Sequence, residues 1–180
     1  MDTHVIDAVS THIPVLDLIK RLSNIRRILE FGCGVYSTNK LLEFPRLELL
    51  TSYEDSQGWF DKISKVSNKK LKLIFESDLL RVAREICLDE FDLIFIDSCD
   101  SQKKRADIID QVSRRKPKAI VIIHDFDDEL ERFPESIKEF DNMAVYRRQW
   151  PATGIMWNQI EGSAEIQGVR FDGIQGILNS

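Results

Sequence analysis

The chain has 180 residues and a mass of 20.9 kDa, with 43% hydrophobic and 31% charged residues. That is enough for one substantial core and too little for two ordinary domains, so a single domain over residues 1–180 is expected. Eight glycines and five prolines exclude a collagen-like or low-complexity chain. A net charge of −5 argues against wholesale electrostatic capture by nucleic acid or by an anionic membrane surface.

Cys33, Cys87 and Cys99 form an odd set with no Cys-x-x-Cys pair, which fits a reducing compartment, and a cytoplasmic location is expected. Asp2, His4 and Asp7 stand where a secretory leader would be basic and then apolar. No stretch approaches the roughly 18 apolar residues of a membrane span, so no membrane partner is expected.

In chain order, Val15, Leu18, Ile19 and Leu22 follow helical spacing behind Pro14, which predicts an opening amphipathic helix. Arg27 to Phe31 reads as a short strand that stops at Gly32-Cys33-Gly34, followed by a helix to Leu42. Leu47 to Glu54 is a second strand, and Trp59, Phe60, Ile63 and Val66 return to helical spacing. Leu71 to Phe75 is a third, with Leu79, Val82, Ala83 and Ile86 marking the helix behind it. Phe91 to Ile96 is a fourth, followed by a helix with Ala106, Ile109 and Val112 on its inner face. Pro117 ends that helix before Ala119 to Ile123, an apolar, β-branched run typical of a strand covered on both sides.

Leu130, Phe133, Ile137 and Phe140 predict one more helix. Met143 to Tyr146 and Gly154 to Ile160 then read as two strands joined hairpin-fashion through Gln149-Trp150-Pro151-Ala152. The tail from Glu161 carries no assignable periodicity. Strands alternating with helices imply an α/β, doubly wound, mostly parallel Rossmann-like sheet of about seven strands, with helices on both faces and an antiparallel C-terminal hairpin.

In such a sheet ligands bind beyond the carboxyl ends of the strands, where the strand order reverses. The segment there is Glu30-Phe31-Gly32-Cys33-Gly34-Val35-Tyr36-Ser37-Thr38. A dinucleotide fingerprint would place a third glycine or alanine at Ser37 and would not call for an acid two residues before the first glycine. Here the acid is present and the third glycine is missing. Glu54 lies 20 positions beyond Gly34 at the end of the second strand, where Rossmann-like sites hold a carboxylate against two ribose hydroxyls. Asp55 is the alternative, because one residue of register reverses the side chain. Ser77-Asp78-Leu79 follows the third strand, with Asp78 also fit to cap the next helix. Asp97 ends an apolar strand, where an unpaired carboxylate would cost several kcal/mol, so a partner is expected for it.

Glu30, Gly32 and Gly34 resemble the first motif of the class I S-adenosylmethionine-dependent methyltransferases, acid-x-Gly-x-Gly, and the acids at the strand ends follow that family's order from Arg27 to Asp125. The resemblance implies a methyltransferase that binds S-adenosylmethionine and releases S-adenosylhomocysteine. It implies that Glu30 faces the methionine amino group and that Gly32, Cys33 and Gly34, with Ser37 and Thr38, lie along the methionine side. By the same resemblance Glu54 or Asp55 holds the ribose, Asp78 and Leu79 meet the adenine, and Asp97 completes the cofactor site.

On the acceptor side, Asp97 with His124 and Asp125 at the end of the fifth strand offers an imidazole and carboxylates for deprotonating a hydroxyl. This cluster is distantly similar to that of the catechol-type O-methyltransferases, where acids after the fourth and fifth strands bind magnesium or calcium. The similarity would put Asp97 and Asp125 on such an ion, since hard cations favour carboxylate oxygens. Phe126 stands where that family has an amide-bearing side chain, with Asp127 and Asp128 further on, so no metal ligand is assigned. Asp125 and Asp127 also read as residues that cap or precede the next helix.

Asp97-Ser98-Cys99-Asp100 replaces the Asn/Asp-Pro-Pro-aromatic motif of amino-methylating enzymes acting on nucleic acids, so a nucleic-acid acceptor is not expected. Lys103, Lys104, Arg105, Arg114, Arg115, Lys116 and Lys118 are read first as a solvated basic face and second as a phosphate contact. Trp150 and Trp157 are either core residues or cover for an acceptor pocket. With few extensions beyond the minimal sheet, a partner subunit or a homodimer is expected to complete that pocket. Two other readings stand beside this one. Tyr36-Ser37-Thr38-Asn39-Lys40 spells the Tyr-x-x-x-Lys pair of NAD-binding short-chain dehydrogenases, although directly after the glycine loop rather than on a later helix. The other is a methyltransferase-like module that binds partners without transferring a methyl group.

Overall fold

The computed structural model describes residues 10–21, 24–98, 102–126, 134–158 and 174–176. Its first half alternates helix and strand: α1 (Ile13–Arg21), β1 (Arg27–Phe31), α2 (Val35–Leu42), β2 (Leu49–Glu54), α3 (Gln57–Ile63), β3 (Leu71–Phe75) and α4 (Leu79–Glu85). A 3₁₀ turn (Leu88–Glu90) leads into β4 (Leu93–Ile96), then α5 (Gln102–Arg114), β5 (Ile120–Ile123), α6 (Pro134–Ile137), β6 (Asn142–Tyr146), β7 (Thr153–Trp157) and β8 (Ile174–Gly176).

The eight strands form one sheet in the order β3-β2-β1-β4-β5-β7-β6-β8. β1 to β5 are parallel, whereas β7 pairs antiparallel with both β5 and β6. The expected hairpin is therefore present, with β7 inserted beside β5. β8 is an eighth strand on the outer edge of β6, in the tail whose sequence shows no periodicity.

Alternate strand residues feed two cores. Leu29, Phe31, Ile94, Ile96, Val121, Ile123 and Met156 pack beneath α4 and α5. Ile28, Leu50, Leu93, Phe95, Ile122 and Ile155 pack against α1 and α2. Both faces of β4 and β5 are buried, which explains their continuous apolar runs. α1 buries Val15, Leu16 and Ile19 rather than Leu18, and Leu22 lies outside the described residues. The predicted helix after Asp125 is seen only as the short α6 around Ile137, because 127–133 lie outside them as well.

The chain turns one way from β1 to β2 and β3 and returns on the other side as β4, so strand order reverses between β1 and β4. The ladder continues one residue past three strand ends: the Gly32 N–H bonds Tyr53 O at 2.8 Å, the Asp97 N–H bonds Phe31 O at 2.9 Å, and the His124 N–H bonds Ile96 O at 3.1 Å. The residues at the mouth of the crevice are thus fixed by backbone pairing. Gly32 has φ +85, and a Cβ there would sit 2.4 Å from the Asp97 carbonyl oxygen. Gly32→Ala is expected to cost about 3 kcal/mol or more, read as a lower midpoint in urea unfolding. Gly34 is different: its φ is −146, an extended value open to any residue.

Candidate functional site

The glycine loop opens onto a cleft of about 280 Å3 at the carboxyl ends of β1, β2, β4 and β5, the size of a small ligand site. Cys33, Gly34 and Ser37 line one side, Glu54 and Asp55 another, and Asp97, His124 and Asp125 the far side. A second cavity of about 140 Å3, lined by Ser77, Asp78 and Leu79, shares Asp55 with the first. The sequence-predicted residues therefore gather along one edge of the sheet, with Asp55 between the two cavities.

Glu54 is 3% exposed and bridges the loops around it. Its Oε2 accepts from the Cys33 N–H at 2.6 Å and its Oε1 from the Ser56 N–H at 2.7 Å. The Cys33 thiol is a third donor to this carboxylate, which leaves part of its acceptor capacity free. Burial pushes its pKa up, and the backbone donors of Ser56 and Cys33 oppose that shift. Of the two candidate acids, Glu54 is the one packed against the glycine loop.

Glu30 sits behind that loop and does not line the cleft. It is fully buried, and its carboxylate accepts from Ser37 Oγ at 2.7 Å, Ser52 Oγ at 2.6 Å and Thr38 Oγ1 at 2.9 Å. Thr38 Oγ1 also accepts from the Gly34 N–H at 3.1 Å, which ties this buried acid to the loop backbone. Burial raises the Glu30 pKa to about 7 against the three hydroxyls, which favour the charged form. Thr38 is likewise fully buried, so Ser37 is the hydroxyl that reaches the cleft. Asp78 is exposed and caps α4, accepting from the Arg81 N–H at 2.9 Å, while its neighbour Leu79 is buried.

The expected partner of Asp97 is His124, whose Nδ1 lies 3.1 Å from Asp97 Oδ1 and 3.3 Å from Asp125 Oδ1. Burial alone would raise Asp97 and lower His124. The hydrogen bond and charge of the pair reverse both shifts, so Asp97 lies below the usual carboxylate range and His124 above the usual imidazole value. His124 Nε2 meets Thr11 Oγ1 at 2.9 Å. Asp125 has φ 55, a left-handed conformation that Asp tolerates better than most residues.

Several residues of the cleft carry no signal in the sequence reading. Arg105, grouped there with a solvated basic face, turns inward: Nη1 donates to Asp125 Oδ2 at 2.8 Å, Nε donates to Ser98 O at 2.9 Å, and Nη2 lies 3.6 Å from Asp97 Oδ1. His12, 1% exposed in the turn before α1, stands edge-on to His124 with ring centroids 4.7 Å apart. Tyr36 and Trp59 form an exposed aromatic rim to the cleft. Trp59 is therefore a rim residue and not part of the inner face of α3, where Ile63 is buried. Trp157 is buried in the core and Trp150 is exposed, and neither lines the cleft.

A magnesium or calcium site on Asp97 and Asp125 does not fit this arrangement. The Arg105 guanidinium already supplies a cation to Asp125 at 2.8 Å, and it lies 3.6 Å from Asp97. Phe126 is fully buried against Gly154, where a Cβ would lie 2.5 Å from its ring, so it offers no oxygen. Of the other basic residues, Arg114 pairs with Asp110, Lys116 with Glu139 and Lys103 with Asp107, and Arg115 donates to the Ala83 and Ile86 carbonyls. No helix among the described residues is long and apolar enough to cross a membrane.

No protein-family model matches the chain, and no curated protein matches it either. Solved structures do. Spermidine synthase from Thermotoga maritima superposes with a TM-score of 0.63 at 14% identity, over 87% of this chain and 60% of that one, so the chain spans less than two thirds of that enzyme's length. A Staphylococcus aureus protein assigned as a caffeoyl-CoA O-methyltransferase gives 0.55 at 17% identity, over 81% of this chain and 83% of that one. The methyltransferase domain of bacterial CtHen1 gives 0.58 at 13% identity, over 86% of this chain and all of that one. With the parallel β3-β2-β1-β4-β5 order and the antiparallel β7 beside β5, these superpositions establish that the chain has the fold of the class I S-adenosylmethionine-dependent methyltransferases.

Proposed function

We propose that the chain is an S-adenosylmethionine-dependent methyltransferase that moves a methyl group to an oxygen or nitrogen of its acceptor. The observation that carries this reading is Glu54, a nearly buried carboxylate at the end of β2 whose oxygens are oriented by the glycine loop and the β2–α3 turn. A carboxylate with acceptor capacity to spare suits the vicinal hydroxyls of a ribose. Asp78 and Leu79 in the adjoining cavity suit an adenine amino group and ring, and Cys33 and Gly34, with Ser37, suit the methionine portion.

Bound there, S-adenosylmethionine supplies an electrophilic methyl group on a sulfonium. The rest of the task is alignment and exclusion of water. Tyr36 and Trp59 offer an apolar rim that would shield the acceptor, while His124, Asp97 and Asp125 orient and polarise its O–H or N–H. Arg105 keeps the two acids from repelling each other as they do so. We extend the proposal to a second subunit as the missing wall of the acceptor pocket, since the rim at Val35, Tyr36 and Trp59 is exposed in the single chain.

The test is incubation with methyl-labelled S-adenosylmethionine and a panel of phenols, sugars, peptides and RNA. Label in one acceptor class with equal release of S-adenosylhomocysteine is expected. Cofactor binding with no transfer to any of them would favour the non-catalytic module. A melting temperature raised by NAD(H) and not by S-adenosylhomocysteine would favour an oxidoreductase.

A further inference from the structure

His12 has a fully buried imidazole, and neither ring nitrogen has a hydrogen-bond partner among the described residues. Two unsatisfied ring nitrogens are costly and call for a ligand or a reason. The ring is on the wall of the cleft, beside Asp97 and His124, and one donor atom from each of the three residues lies within 4.8 Å of the others. We propose that His12, Asp97 and His124 bind a borderline first-row divalent ion, Zn2+ in the first instance.

Two imidazoles and one carboxylate suit that class of metal, whereas magnesium and calcium call for oxygen ligands. Zinc bonds of about 2.0–2.1 Å place neighbouring ligand atoms of a tetrahedral ion roughly 3.3 Å apart. His124 Nδ1 and Asp97 Oδ1 are 3.1 Å apart through a hydrogen bond that the ion would replace, releasing the bridging proton to solvent, so one edge of the polyhedron has close to the required length. His124 Nε2 is held by Thr11 Oγ1 at 2.9 Å, the outer-sphere contact that fixes the orientation of a ligating imidazole.

Among the described residues, Arg105 and Asp125 face these donors and Glu30 lies behind Asp97; Arg105 pairs with Asp125 at 2.8 Å and lies 3.6 Å from Asp97. This set is distinct from an Asp97–Asp125 site, because the third donor comes from the turn before α1. Three protein donors leave a position open toward the cleft, where an acceptor oxygen would bind and become more acidic. That role rests on the methyl-transfer reading, whereas the site itself rests on geometry.

The full chain, stripped with chelator and titrated with Co2+ without cofactor, reads the site by visible absorption. One equivalent per chain is expected, displaced by Zn2+ and unaffected by excess Mg2+. His12→Gln should weaken binding by more than about 100-fold, beyond the roughly 10- to 100-fold loss expected for Thr11→Val, which removes only an outer-sphere partner. No Co2+ signal in the parent chain, or full affinity in folded His12→Gln and Thr11→Val proteins, would overturn the proposal. S-adenosylhomocysteine binding is measured separately on the same sample. Homocysteine-adenosyl binding without Co2+ binding sinks the metal site alone, and Co2+ binding without it sinks the transfer reading and leaves the metal site standing.

Discussion

Glu54→Ala is expected to weaken S-adenosylhomocysteine binding by roughly 100-fold or more. The carboxylate is aligned before any ligand arrives, by the Cys33 and Ser56 N–H groups at 2.6 and 2.7 Å. A hydrogen bond to a charged acceptor contributes about 1.5–3 kcal/mol, and two are lost with the side chain. The alanine also leaves the two N–H groups without their acceptor, so the glycine loop loses its tie to β2. Melting the ligand-free protein separates that structural cost from the binding loss. Asp55→Ala is expected to do less, because Asp55 is half-buried between the two cavities and is not the acid packed against the loop. A larger loss for Asp55→Ala than for Glu54→Ala would reverse the assignment.

Glu30→Gln is expected to flatten the pH dependence of stability between about pH 4.5 and 7. The Glu30 pKa stands at about 7 in the fold against an ordinary 4.5, because burial disfavours the ion more than Ser52, Ser37 and Thr38 favour it. A carboxyl with a raised folded value binds its proton more tightly when folded than when unfolded. Its stabilising contribution is therefore complete below pH 4.5 and is lost as the pH rises through 7. The difference corresponds to about 3 kcal/mol at pH 8, where the parent chain must either bury a charge or hold a proton against the solution. Glutamine keeps one acceptor oxygen for the hydroxyls on one side, and its Nε2 donates to a hydroxyl oxygen on the other, without that penalty. Urea unfolding at pH 4 and pH 8 should show similar stability for the two proteins in acid and a more stable Glu30→Gln in base. Curves that run parallel across the range would mean that Glu30 ionises freely in the fold.

Where the sequence marks an element by contrast, its bounds are readable. Arg27–Phe31 and Leu71–Phe75 are flanked by breakers or polar residues and fall where expected. β2 and β4 begin two residues later than their apolar runs, because Leu47 and Phe91 are buried in the turns that lead into them, each N–H bonding a carbonyl three residues back. β8 follows no pattern, since a three-residue edge strand containing Gly176 offers too few positions to alternate.

The site divides along similar lines. Acids at strand ends are conspicuous because each stands where an otherwise mostly uncharged strand stops, and Glu54, Asp97 and Asp125 do line one cleft. Glu30 is equally conspicuous, yet it lies behind the loop among hydroxyls, a difference set by three-dimensional packing around Ser37, Thr38 and Ser52. Arg105 is masked by Lys103 and Lys104, and only its place in the first turn of α5, beneath Asp125, distinguishes it. His12 and Thr11 reach His124 across more than a hundred residues of chain, and no local spacing records such a contact.

The measurement that bears most directly on the account is calorimetric titration of the purified chain with S-adenosylmethionine and S-adenosylhomocysteine, run beside NAD+. Saturable binding of both adenosyl compounds at one site per chain, with no heat from NAD+, is the predicted result. Saturation by NAD+ alone, or by none of the three, would contradict it.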